Sequence, residues 1–170
     1  MLNAAPAALG AGSPCHGATL RPTPANASAV EHATLCLVDQ VRVANHLQAL
    51  RSNDELVGVA VSQVSTMVSW NYFADVRPSG QTPLALVVVT RYPVHAANIA
   101  VGQNIAWGTG PYTTPAHIVA EWMHSPPHRA VILTGEYRDA GVAVTPALPG
   151  VLRAGHRGAT YAMEFGVRRF

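Results

Sequence analysis

Apolar residues recur at helical spacing in the first three quarters of the chain and alternate in the last quarter. Asn26 or Ser28 can cap a helix in which Leu37, Val41, Ala44 and Leu47 form a stripe. Ser52-Asn53-Asp54 ends that helix and caps the next, whose stripe is Leu56, Ala60, Val64 and Met67, with Trp70 extending the apolar surface. Pro78-Ser79-Gly80 reads as a turn. Thr82-Pro83 then opens a third helix, because proline suits the first helical position. The valine-rich run Leu84–Thr90 would suit a strand equally by propensity, and the cap decides for helix. Thr114-Pro115 starts another helix with Ile118, Val119, Trp122 and Met123 on its apolar face, and Pro126-Pro127 must interrupt it. Beyond Gly135 the period changes to two. Ala140, Val142 and Val144 predict one strand, and Tyr161, Met163, Phe165 and Val167 predict a second.

The stretches between are loops. Gly102–Gly110 is punctuated by glycine and carries Gln103, Asn104 and Trp107; Pro146–Gly158 is rich in turn residues. Residues 1–25 hold four of the thirteen prolines and no periodicity, and predict a flexible arm ahead of one domain over 26–170. Helices first and strands last predict an α+β fold, an antiparallel sheet covered by helices. A chain of 170 residues can bury a core of its own.

Composition narrows the function classes. Charged residues are 12% and hydrophobic residues 49%, with a formal charge of +2. No basic stripe is present, and Arg153, His156, Arg157 and Arg168, Arg169 form only short clusters, so nucleic acid is not expected as a partner. The run Leu84–Val89 is far too short to span a bilayer. No basic segment leads into an apolar run at the N-terminus, and Asn3–Ser13 has the look of what remains after an export signal is removed. The two cysteines, Cys15 and Cys36, point to a bridge from the arm to the first helix; two buried free thiols are the alternative. A bridge would place the chain in an oxidising compartment.

Four segments carry a resemblance. Tyr72-Phe73-Ala74-Asp75-Val76-Arg77-Pro78-Ser79-Gly80 is similar to the pattern Y-F-x-H-x-S-P-x-G, and Gly102-Gln103-Asn104-Ile105-Ala106-Trp107-Gly108 to G-E-N-I-A-x-G. Trp122-Met123-His124-Ser125-Pro126-Pro127-His128-Arg129 through Leu133 is similar to W-M-x-S-P-G-H-R-x-N-I-L. Gly141–Val144 and Tyr161–Gly166 resemble two closing strands. Together, in this order, the motifs resemble the CAP superfamily (the cysteine-rich secretory, antigen 5 and pathogenesis-related group), in its bacterial extracellular branch. The resemblance implies an α-β-α sandwich and a secreted protein. It also implies a central cleft of histidines and acids that sometimes holds a divalent metal. The family spans lipid and sterol binders, signalling ligands, wall-associated proteins and a few proteases, so the fold does not choose a function.

Residue by residue, the site the resemblance implies is altered. Its first histidine falls at Asp75, its glutamate at Gln103, and its second histidine is kept as His128. Gln103 can orient a partner and cannot take a proton. Asp75 beside His128 would fix the imidazole in one tautomer, a pair able to act as a base, and no nucleophile is evident beside it, Ser125 being near in sequence only. As metal ligands His128 and Asp75, with an amide, are a poor set for zinc, and calcium or magnesium would want more oxygens. No cofactor is expected. His117, Glu121 and His124, at i, i+4 and i+7, could also hold zinc or form a solvated face. Arg129 is expected to pair with Glu136 or Glu164. Tyr72, Phe73, Trp107 and Trp122 are expected in the core or in the cleft walls. The expected function is a non-enzymatic extracellular module binding a lipid, a wall component or a protein. The alternative is a hydrolase or peptidase built on Asp75 and His128.

Overall fold

The structure is a computed structural model that describes residues 14–153 and 156–170. The low-complexity stretch Asn3–Ser13 lies outside the described residues. The elements follow in the order α1 (Ala27–Ala44), β1 (Arg51–Ser52), α2 (Asp54–Ser69), α3 (Pro83–Val88), β2 (Asn98–Thr109), a 3-10 turn (Gly110–Thr113), α4 (Pro115–His124), α5 (Pro126–Ile132), β3 (Asp139–Thr145), α6 (Gly150–Arg153) and β4 (Gly158–Arg169).

The sheet order is β1-β3-β4-β2. β4 runs antiparallel to both neighbours, opposing Gln103 to Glu164 and Val142 to Met163. The two-residue β1 joins β3 in parallel, so the sheet is antiparallel except at that edge. Helices cover both faces. Tyr161, Met163 and Phe165 of β4 and Val142 and Val144 of β3 pack with Val30 and Val38 of α1 and Ile118, Val119 and Trp122 of α4. Ala143, Ala162 and Ile105 face Ala60, Val64 and Met67 of α2, and Leu56 and Val59 continue that layer onto Leu86 and Val87 of α3. This is the α-β-α sandwich that the resemblance implies, and it agrees with the α+β fold that the order of elements predicts. α2 lies directly on the sheet at Gly141, where an added Cβ would fall 2.1 Å from Leu56 and Val57 backbone; no larger residue fits there.

The caps read from the sequence form. Asn53 Oδ1 accepts from Glu55 and Leu56 N–H, Thr82 Oγ1 from Ala85 N–H, and Thr114 Oγ1 from His117 N–H. Each satisfies donors that a helix start leaves unpaired. Asn26 stands at the α1 cap position, but its Oδ1 turns back to Thr23 N–H.

Several expectations are corrected. Gly102–Gly110 is not a loop: Gly102 to Thr109 belong to β2, whose full-length pairing with β4 outweighs the glycines. Gly108 lies in that strand because Tyr112 backbone approaches where a Cβ would stand. The loop after Pro146 contains the one-turn helix α6. The buried stripe of α1 is Val30, Ala33, Thr34, Val38 and Arg42; Ala44 is exposed and Leu47 lies past the helix end. Trp70 is 52% exposed rather than part of the α2 core.

Cys15 and Cys36 form a disulfide, which settles the choice between a bridge and free thiols. It fastens residues 14–25, which carry no helix or strand, to α1. A second tie runs from Ala116 N–H, in the first turn of α4, to Ala18 C=O at 2.9 Å.

Candidate functional site

The carboxyl-terminal end of α4 and the start of α5 set the site. Pro126 and Pro127 cannot continue the hydrogen-bonding of α4, so the chain breaks at Ser125 and restarts as α5. His128 stands in the first turn of α5, half-buried. Its Nδ1 lies 2.8 Å from Ser125 Oγ. Asn104 of β2 holds this turn in place by donating from Nδ2 to His128 C=O at 3.0 Å. Trp122 is buried, and its indole N–H donates to Ile105 C=O at 3.1 Å, which ties α4 to the same strand.

A cavity of about 370 Å³ opens between β2 and α4–α5. Phe73, Ile105, Trp107 and Trp122 give it apolar and aromatic walls; His117, Glu121, Ser125 and His128 are its polar groups. Of the four aromatic residues near the motifs, Phe73, Trp107 and Trp122 therefore line this hollow. Tyr72 packs on the α2 layer, its hydroxyl 3.0 Å from Thr66 Oγ1.

Asp75 and Gln103 are not walls of this cavity. Asp75 is exposed on the α2–α3 connection, with enough protein beside it to push its carboxyl above the ordinary range, and the charge of His128 partly offsets that rise. The structure thus brings Asp75 and His128 into electrostatic reach. No direct hydrogen bond joins them among the described residues.

Gln103 faces the α2 side of the sheet. Its Nε2 donates to Glu164 Oε1 at 2.6 Å across the β2–β4 ladder. Glu164 is completely buried, and that burial pushes its carboxyl up to about 8. The Gln103 hydrogen bond and the Arg77 charge pull the other way, and Asp75 adds to the rise. At neutral pH Glu164 is therefore largely protonated. Gln103 Oε1 and Glu164 Oε2 are buried with no hydrogen-bond partner.

Those two oxygens test the metal reading. One belongs to an amide and the other to a mostly neutral acid. Among the described residues no three His, Cys, Asp or Glu side chains converge to hold a metal. The residues present do not fit zinc. The second arrangement on α4 behaves likewise: His117 Nε2 lies 4.0 Å from Glu121 Oε1, His117 packs on the Tyr112 ring, and His124 is exposed and apart from the cavity.

Arg129 pairs with neither glutamate. Glu136 binds Arg169, and Glu164 binds Gln103. The α5 helix points Arg129 to solvent. Sequence reasoning missed Glu164 as a member of the polar seam and Ser125 as a partner of His128. The signal for Glu164 was its place as the one acid inside the apolar strand Tyr161–Val167. Gln63 gave the same kind of signal within the α2 stripe; it is fully buried and donates to Ala74 C=O, fixing the loop that carries Asp75.

A search of curated proteins finds no match to this chain. Among solved structures, an outer surface protein of Borrelia burgdorferi is similar at a TM-score of 0.63 and 16% identity, covering 79% of this chain and 90% of that one. An extracellular protein of Bacillus anthracis that contains an SCP domain is similar at 0.65 and 21%, covering 88% of this chain and 44% of that one. A cysteine-rich secretory protein of Staphylococcus aureus is similar at 0.58 and 16%, covering 86% and 41%. The chain therefore spans nearly all of the Borrelia protein and under half of the other two. At these identities the likeness shows the fold. The model of the cysteine-rich secretory protein family, CAP, matches residues 35–149, more than half of the chain. With that match and the α-β-α sandwich around His128, the chain belongs to the CAP family.

Proposed function

We propose that this chain is a secreted extracellular binding module whose cleft takes up a ligand without converting it. The observation that carries the reading is the chemistry around the hollow. Its imidazole is engaged by Ser125, and the nearby glutamine and glutamate bind each other. Gln103 has no titratable group and Glu164 is buried and largely neutral, so neither serves as an ionised base at neutral pH. Apolar and aromatic walls with a few convergent polar groups suit a ligand with an apolar body and a hydrogen-bonding end. A lipid, a wall component and a side chain of a protein partner all have that form. The disulfide supports export to an oxidising compartment. No helix among the described residues is long and apolar enough to cross a membrane.

Trp107 and Trp122 in the wall provide the assay. Titration with lipids, wall fragments and partner peptides should give a saturable change in tryptophan fluorescence for one class, weakened at least tenfold, about 1.4 kcal/mol, in Phe73→Ala. Robust turnover of a peptide or ester that disappears in His128→Ala would reject the reading.

A second reading, hydrolysis by an Asp75–His128 pair, is favoured by one contact: the Ser125 hydroxyl lies 2.8 Å from the imidazole, where a nucleophile would stand. Against it, Pro126 and Pro127 remove two backbone N–H groups from the turn that would otherwise stabilise an oxyanion. This reading requires esterase or peptidase activity lost in both Ser125→Ala and Asp75→Asn.

A further inference from the structure

The connection from Ala74 to Gln81 carries two charged side chains with different surroundings. Asp75 feels His128, whereas Arg77 lines a separate cavity of about 330 Å³ between α2 and α3, which shares no wall with the cleft. Arg77 is only 8% exposed. Its guanidinium donates from Nε to Gln63 Oε1 at 3.1 Å and from Nη2 to Ser62 Oγ at 2.8 Å. Both partners are neutral, and no carboxylate forms an ion pair with Arg77 among the described residues. The buried acid whose charge it would meet, Glu164, is largely protonated. Burying a charge without a counter-ion costs several kcal/mol. A guanidinium held rigidly at a cavity wall by two neutral groups is a prepared seat for an anion, and its fork matches a carboxylate.

The opposite end of the same cavity has the opposite sign. Asp54 and Glu55, in the first turn of α2, are also walls, so a simple anion would be repelled there. Glu55 and Ser62 stand two helical turns apart, about 10 Å at 1.5 Å per residue. Three extended residues at about 3.3–3.6 Å each cover that distance. Between the two ends lie Val59, Leu86 and Val89, the last 79% exposed at the mouth.

We propose that this cavity binds a short peptide with free termini, its carboxylate on Arg77 and Ser62, its ammonium at Asp54 and Glu55, and an apolar side chain on Val59, Leu86 and Val89. The site is distinct from the cleft and does not depend on what the cleft binds.

The test is an NMR titration of the whole chain with Ala-Leu-Ala, with its C-terminal amide and with its N-acetyl form. The free peptide should bind saturably at about 1 mM or tighter, and each blocked form at least tenfold more weakly, about 1.4 kcal/mol. Shifts should map to α2 and α3 and leave α4 unmoved. Arg77→Gln should abolish the preference for a free carboxylate. Because Arg77 also braces Gln63, the surface pair Asp54→Asn and Glu55→Gln is the independent check and should erase the preference for a free ammonium. Equal affinity for the free and amidated peptides, or no saturation by about 10 mM, overturns the proposal.

Discussion

Two buried polar constructions sit in this fold, and they are built on opposite terms. Arg42 lies at the end of α1 with no exposed surface. Its guanidinium donates to the carbonyls of Gln48, Ile132, Thr134 and Tyr137, binding the α1–β1 loop to the segment between α5 and β3. Every bond is to main chain, so the charge fixes architecture. The Gln103–Glu164 pair is also buried, yet it makes one bond and leaves one oxygen of each residue without a partner. Saturated polar groups brace a scaffold; unsaturated ones mark a place where chemistry has been left open or altered. The contrast separates a braced part of the scaffold from an open polar seam on the α2 side of the sheet.

Mutation can break that contrast. The largest expected effect is at Arg42: Arg42→Met should cost about 3–5 kcal/mol in urea unfolding, because four carbonyls lose their donor together. A loss under about 1 kcal/mol would show that the clamp is ornamental. Next is the pH response of Glu164. Its folded value is raised to about 8 from the ordinary 4.5, so the folded state favours the proton. Stability is then full below about pH 4.5 and declines as pH rises through 8, on the order of a few kcal/mol in all. Glu164→Gln should flatten that slope and stabilise the protein at pH 8.5, measured by thermal unfolding across pH. An unchanged slope would mean that Glu164 is already ionised in the fold. The smallest effect is at Gln103. Gln103→Leu removes a single hydrogen bond and should cost about 1 kcal/mol, about a third of the Arg42 effect or less.

Much of the fold was legible because periodicity and caps agree. Thr82-Pro83 and Thr114-Pro115 mark helix starts that form, and alternation in Ala140–Val144 and Tyr161–Val167 gives two strands with the right inward faces. The strand β2 was illegible because glycines in Gly102–Gly110 obscure a pattern that only pairing with β4 reveals. The α1 stripe was misplaced for a related reason: an arginine occupies a core position, and three of its four partners come from residues about ninety positions away. At the site, motif spacing pointed to Asp75, Gln103 and His128. It could not show that Gln103 turns to Glu164, since which face of a strand a residue takes follows from register.

The tie between Ala18 and Ala116 gives the disulfide a reach beyond anchoring an arm. Breaking Cys15–Cys36 frees the segment that accepts from the first turn of α4, the helix that carries His117 and Trp122. A thiol reductant would thus act as a remote control on the ligand hollow, slackening one of its walls without touching any group inside it.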